Sequence, residues 1–174
     1  MEEKRKIAVI LTFAVALCLV LVSPGRAEEK AKSLKWMDHK PNPRFAIYDP
    51  GTPEDEGDDL VLDKQTKLVW ARNANLAGKM LTWGDAITYC QNLTLGNFKG
   101  WQLPAEEQLL SLVDPSQSVP ILPSGHPFVN AKSTYWSSTE YDFISALVVH
   151  IGGSGAVHDE PKIIGMYVLP VLGR

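Results

Sequence analysis

Leu60-Val61-Leu62-Asp63-Lys64-Gln65-Thr66-Lys67-Leu68-Val69-Trp70 is the stretch that decides the fold class. Two short apolar runs flank four turn-forming residues, Asp63 to Thr66, and such runs close across a turn as a β-hairpin. Downstream the period changes. Trp83, Ala86, Ile87, Cys90 and Leu93 recur at helical spacing and make one apolar stripe. Thr82 is placed to cap that helix, and Asp85 lies in its first turn, where the helix dipole favours an anion. A second helix is expected from Pro104, with Glu106 and Glu107 at its positive end. Leu109, Leu110, Leu112 and Val113 form its apolar face, and Asp114-Pro115 closes it. The last third alternates short apolar runs with glycines: 135–139, 146–151 and 163–172 read as strands. Gly152-Gly153-Ser154-Gly155 reads as a hairpin turn and His158-Asp159-Glu160 as a polar turn after it. The predicted class is α+β with an antiparallel sheet.

Working outward, residues 44–49 suit a short strand. Residues 50–59 combine Pro50, Gly51, Pro53 and Gly57 with five carboxylates, which predicts a loop. Residues 28–43 are charged, aperiodic and carry Pro41 and Pro43, so they read as a charged tether. The amino terminus has the three-part plan of a signal peptide. Lys4, Arg5 and Lys6 precede a 16-residue apolar run at 7–22, and Gly25 and Ala27 supply small residues at a cleavage site. A spanning helix needs about 20 apolar residues, so cleavage after Ala27 is expected rather than retention as an anchor. The expected protein is exported, to the periplasm, the cell surface or the medium, with no membrane association after cleavage.

Cleavage removes four of the 17 basic and two of the 20 acidic residues, leaving 13 and 18, a net charge of −5 over 147 residues. That charge argues against a nucleic-acid-binding protein. It also disfavours sulfated polysaccharides as ligands and favours neutral glycans or proteins. Cys18 departs with the leader and Cys90 stays alone, so no intrachain disulfide can form. On an apolar stripe without cationic neighbours, Cys90 reads as a buried, unreactive thiol.

Motifs for catalysis are absent. The chain has no G-x-S-x-G elbow, P-loop or dinucleotide fingerprint. A metal-dependent enzyme site would have to assemble from Asp142, His150, His158 and Glu160, yet no tight ligand spacing supports one. Calcium at residues 54–59 would lack EF-hand spacing. No cofactor or metal is therefore assigned. Tryptophan is more informative, because exposed indoles stack on sugars while most indoles are core. Trp70 and Trp83 read as core. Trp101 and Trp136 sit beside predicted loops, and both readings stay open for them.

Three segments, Asp63 to Trp70, Thr82-Trp83 through Leu112, and Tyr135-Trp136-Ser137-Ser138-Thr139, resemble the Lcl C-terminal domain family, a bacterial domain of unknown function. Its pattern runs D-x-x-T-G-L-x-W, T-W-x-x-A, Y-C-x-x-L, W-R-L-P-T-x-x-E-L and W-S-S-T, and the likeness covers residues 44–174 in order. The resemblance implies a C-type lectin-like fold, with two helices packed on a twisted antiparallel sheet and long loops. It also implies a non-enzymatic binding module, since some members form the glycan-binding heads of adhesins. Departures stand at Trp101-Gln102-Leu103-Pro104-Ala105, at Gln108-Leu109, and at Val168-Leu169-Pro170-Val171-Leu172. There the family's arginines, threonine and glutamate are missing, which suggests an internal polar network exchanged for apolar packing. A lectin-type disulfide lacks its second cysteine. Glu160-Pro161-Lys162 is no calcium loop, because it follows Trp136 and Lys162 offers no oxygen. The formylglycine-generating activity of related folds needs a cysteine pair and is excluded.

The expected function is thus an exported, calcium-independent binding module, glycan-binding or adhesin-like. Its expected ligand-binding residues are Trp136, Ser137, Ser138, Thr139 and Trp101, beside a loop at 124–130. The alternatives are an envelope protein–protein interaction module without sugar affinity and a metal-dependent enzyme on the same scaffold.

Overall fold

The computed structural model describes residues 35–49 and 59–173. The expected signal peptide at 1–27, residues 28–34 of the expected tether and residues 50–58 of the acidic loop lie outside the described residues.

Among the described residues eight strands and two helices follow in chain order: β1 (Met37–Asp38), β2 (Phe45–Tyr48), β3 (Leu60–Asp63), β4 (Val69–Ala71), α1 (Trp83–Asn92), α2 (Glu106–Leu110), β5 (Tyr135–Glu140), β6 (Ser145–Val149), β7 (Val157–Pro161) and β8 (Val171–Leu172). They form two antiparallel sheets rather than the one sheet expected. One has the order β1-β2-β3-β4-β8 and the other β5-β6-β7. The chain is α+β, as its periodicity predicts.

The decisive hairpin pairs Leu60 with Ala71, Val61 with Trp70 and Leu62 with Val69. Its turn closes through two backbone bonds. The Asp63 N–H donates to Leu68 O at 2.9 Å, and the Lys67 N–H donates to Asp63 O at 2.7 Å. That closure puts Lys67 at φ +66°, in the left-handed region, where the family pattern has glycine. Inside the turn lies Asp63, wholly buried. One carboxylate oxygen accepts from Arg44 Nε at 2.9 Å and from the Gln65 N–H at 3.0 Å. The other accepts from Arg44 Nη2 at 2.6 Å and from Thr66 Oγ1 at 2.9 Å. Arg44 Nη2 also donates to Ser111 O, the cap at the end of α2, at 2.7 Å. One ion pair thus ties β2, the β3–β4 turn and α2 together.

Residues 35–43, expected to belong to a tether, are partly docked. Met37 and Asp38 pair with Ile47 and Ala46. Asn42 Nδ2 donates to Ser124 O, and His39 Nε2 contacts Gly125 O, each at 2.9 Å. The absence of apolar periodicity concealed this, because apart from Trp36, whose ring lies 5.8 Å from that of Tyr48, the docking is made by backbone and polar side chains.

Two further boundaries differ from expectation. Residues 157–161 are a strand, not the end of a turn, paired from Ser145↔Pro161 to Val149↔Val157. β7 is an edge strand with polar residues along its length, so no alternation marks it. The preceding Gly152 to Gly155 turn lies where expected, with Gly155 at φ +71°. In the final run only Val171–Leu172 enters a sheet. Met166 bridges to Leu81, and Tyr167 to Tyr135. Val171 then pairs with Trp70 and exchanges two backbone bonds with Gln102, so this run stitches the two sheets together.

Helix α1 starts behind Thr82, whose hydroxyl oxygen accepts from the Asp85 N–H. Its stripe buries Ala86 and Cys90 against Trp136, Ala146 and Val148 of the smaller sheet. Helix α2 begins two residues later than Pro104, since Ala105 takes the cap position. Its Leu109, with Leu112 just beyond the helix, packs against Phe45, Trp70, Tyr135 and Val171 between the sheets.

Burial alone would raise the Asp63 pKa. The donors from Arg44, Thr66 and Gln65 outweigh it and hold the carboxyl below its ordinary range. A depressed folded value stabilises the fold fully above the ordinary carboxylate pKa of about 4, and that contribution is lost as pH falls through the folded value. Asp63→Asn should therefore flatten the acid limb of stability and cost about 3 kcal/mol near neutrality, because Arg44 keeps its place without a counter-charge. Denaturant unfolding across pH 2.5–7 checks both. At Lys67, glycine removes the left-handed penalty but enlarges the unfolded ensemble, so Lys67→Gly should gain no more than about 1 kcal/mol. Lys67→Ala should gain nothing in the same titration.

Candidate functional site

Tyr135-Trp136-Ser137-Ser138-Thr139 forms most of β5, with Tyr135, Trp136 and Ser137 buried, Thr139 half-buried and Ser138 exposed. Trp136 is 0% exposed and Trp101 is 1% exposed. The Trp136 indole N–H donates to Leu81 O at 2.9 Å, and Trp83 donates to Ser137 O at 2.8 Å. Ser137 is buried, its hydroxyl donating to Leu147 O at 2.8 Å. The Ser138 N–H donates to Pro104 O at 2.7 Å. Thr139 Oγ1 accepts from the Glu106 N–H at 3.1 Å, at the start of α2. That bond supplies the cap that Ala105 cannot. Gln108 completes it by accepting from the Ala105 N–H at 2.9 Å.

The expected stacking role of Trp136 and Trp101 is therefore corrected: neither indole presents a face to solvent. Ser137 is likewise closed off, and Thr139 is spent on the helix terminus. The 124–130 loop does not complete a site with them. It is held by Asn42 and His39 at one end, and at the other the Ala74 N–H donates to Val129 O. Burial first, then neighbouring His39, hold His126 in that loop below the ordinary histidine range.

Ser138 and the edge of Trp101 do meet in one place. With Ile87 and Gln91 of α1, and with Gly100, Gln102 and Leu103, they line an open groove of about 410 Å³. The backbone of Gln102 is fixed by its two bonds to Val171, while its side chain is exposed on the groove wall. Position 102 carries arginine in the family pattern, so that arginine would face the groove. Val168, Leu169, Val171 and Leu172 are buried as apolar packing. None of the lining side chains carries a charge. A second depression of about 590 Å³ lies along α1 between Lys79, Asp85, Tyr89 and Thr94, and both charge signs are present in it.

The residues considered for metal chemistry do not assemble. Among the described residues no cluster of three or more His, Cys, Asp or Glu side chains could hold an ion. His158 Nε2 lies 3.3 Å from Glu160. Asp142 turns its carboxylate onto the Ile144 and Ser145 N–H groups at 2.9 and 2.7 Å. These two bonds hold the Asp142 carboxyl below its ordinary range. Of the acidic loop only Asp59 is described, and it pairs with Arg72. Cys90 is buried, and burial pushes its thiol up to about 12, which leaves it protonated and unreactive at any physiological pH.

Sequence reasoning missed Gln91 and the exposed residues between β5 and β6. Gln91 follows Ile87 by one helical turn, so it borders the apolar stripe, where a groove wall is expected. Tyr141, Phe143 and Ile144 are apolar residues at a hairpin turn, where polar ones are the rule.

The geometry defines a small α+β domain whose two antiparallel sheets carry two helices. The chain belongs to the Lcl C-terminal domain family, whose model matches residues 59–172. No curated protein matches the chain closely enough to lend it a function. Among the described residues no helix is long and apolar enough to cross a membrane.

The buried W-S-S-T strand yields its own test. Trp136→Ala should destabilise the protein by about 3–5 kcal/mol through the cavity it opens. Thr139→Val, which keeps shape and loses the cap, should cost about 1 kcal/mol. Chemical denaturation of both variants separates packing from capping.

Proposed function

We propose that this chain is an exported, non-enzymatic binding module on a C-type lectin-like scaffold, and that its ligand lies in the groove between α1, residues 100–103 and Ser138. The observation that carries the reading is the chemistry of the groove wall. Gln91, Gln102 and Ser138 present amide and hydroxyl groups around the apolar surface of Ile87. Amides and hydroxyls both donate and accept, which is the complement of a neutral sugar ring. General acid–base or nucleophilic catalysis needs a titrating group beside the reacting bond, and the lining supplies none.

Gln102 sets the ligand class. An arginine there, as in the family pattern, would select anionic ligands. Glutamine removes that charge, and the acidic balance of the expected mature chain disfavours anions further. A neutral glycan that needs no calcium is the ligand this wall fits. The signal-like amino terminus supports export, where such ligands are met.

A glycan array probed with purified protein, with calcium and again with chelator, should give the same neutral ligands in both conditions. Gln91→Ala and Gln102→Ala alter exposed groove positions. Each should weaken that binding by about tenfold or more, which is the effect of losing one well-placed contact, with an unchanged unfolding midpoint. Retention of binding in both variants would move the site to the depression beside Tyr89. No glycan binding at all would leave the protein-interaction alternative.

A further inference from the structure

The β5–β6 connection places apolar side chains outward on a braced loop. Phe143 is 94% exposed, and Ile163, in the neighbouring turn after β7, is 85% exposed. Tyr141 and Ile144 are exposed beside them. Isolated exposed apolar residues need no explanation, but four on two adjoining turns do.

The loop is held from beneath. Lys162 Nζ donates to Glu140 at 2.6 Å, to Asp142 O at 2.9 Å and to Phe143 O at 3.2 Å. It also lies 4.6 Å from the centre of the Trp83 ring. The Lys162 N–H donates to Ile144 O at 2.8 Å, which joins the two turns directly. Asp142 closes the turn from within by accepting from the Ile144 and Ser145 N–H groups. A loop so braced loses little conformational freedom when something binds it, so the apolar contact is kept as affinity.

Charge identifies the occupant. From Tyr135 to Pro161 the chain carries Glu140, Asp142, Asp159 and Glu160, and no lysine or arginine. The charge of Lys162 is turned inward onto Glu140 and two carbonyls. The apolar tip therefore rises from an acidic sheet. A second copy would bring like charges together, and an anionic bilayer would repel the same rim.

We propose that the tip formed by Tyr141, Phe143, Ile144 and Ile163 is a docking surface for a protein segment that is apolar at its centre and basic at its edges. The surface is distinct from the groove beside α1, and neither reading depends on the other.

The test uses the purified full chain and two labelled amphipathic peptides of equal length, one of leucine and lysine and one of leucine and glutamate. The leucine–lysine peptide should bind, and the leucine–glutamate peptide should bind at least about tenfold more weakly. The double substitution Phe143→Ser with Ile144→Ser leaves the charge unchanged. It should cost about tenfold or more in affinity for the leucine–lysine peptide, with no loss of thermal stability, because both side chains are exposed. Asp159→Asn should weaken binding less and reduce its salt dependence. The proposal is overturned if the double variant binds the leucine–lysine peptide as tightly as the parent, since charge alone would then explain binding. Equal affinity for both peptides also overturns it. So does a tip-dependent association with phosphatidylcholine vesicles or a tip-dependent dimer in sedimentation, either of which names a different occupant.

Discussion

The buried ion pair between Arg44 and Asp63 is the contact on which the larger sheet and its helix depend. A carboxylate with no exposed surface needs its lone pairs filled, and four donors fill them. Two come from Arg44, the residue before β2, and two come from the turn itself. The D-x-x-T spacing is thereby explained by geometry. Asp63 ends a strand, Thr66 sits three residues on with its hydroxyl turned back, and the guanidinium fills the remaining side. The second reach of Arg44, to Ser111 O, satisfies a carbonyl at the end of α2. Arg44 also lies 5.1 Å from the centre of the Phe45 ring, so the charged and apolar parts at the entry to β2 are fixed by one side chain.

The smaller sheet depends on β5 in a comparable way. Each polar group of Trp136, Ser137 and Thr139 meets a backbone partner from a different element: Leu81 before α1, Leu147 in β6 and Glu106 at the start of α2. With those groups occupied, the Ser138 hydroxyl is what the W-S-S-T run leaves facing the groove. W-S-S-T is a motif of assembly, and what assembly leaves outside is open to solvent. On one side that is the amide-lined wall at Gln91 and Gln102. On the other it is the loop raised above Lys162.

The hairpin at 60–71, helix α1 with its Thr82 cap, and β5 were legible because each carries a local period or a local cap. Fold class followed from the change of period alone. What was not legible depends on partners distant in sequence. Arg44 is an ordinary charged residue until Asp63, 19 positions later, is folded beside it. β7 carries no alternation, since it is an edge strand whose side chains are exposed or half-buried along its length. Trp101 and Trp136 were open between core and surface because an indole beside a loop is compatible with both; the packing of α1 and Leu103 decides it for Trp136, and that of Leu60, Leu95, Phe98 and Leu172 for Trp101. Of the expected site, Ser138 survives on the groove wall, with only the edge of Trp101 beside it.

The residue at position 102 can change without disturbing the fold beneath it. The backbone of Gln102 is committed to Val171 through paired bonds at 2.9 and 3.0 Å, so any residue with an ordinary extended backbone holds that place. Its side chain bears on the groove and on nothing that the core requires. The closing run is the reverse case. There Leu169 and Leu172 lie inside, where an arginine would need a buried partner, and Gln108 stands where the family pattern has the glutamate that could serve as one. Losing charge inside is compatible with stability because the desolvation penalty goes with it. Losing charge outside leaves stability alone and alters what the wall attracts. The same kind of substitution thus has opposite meanings at 102 and at 168–172, and burial decides between them.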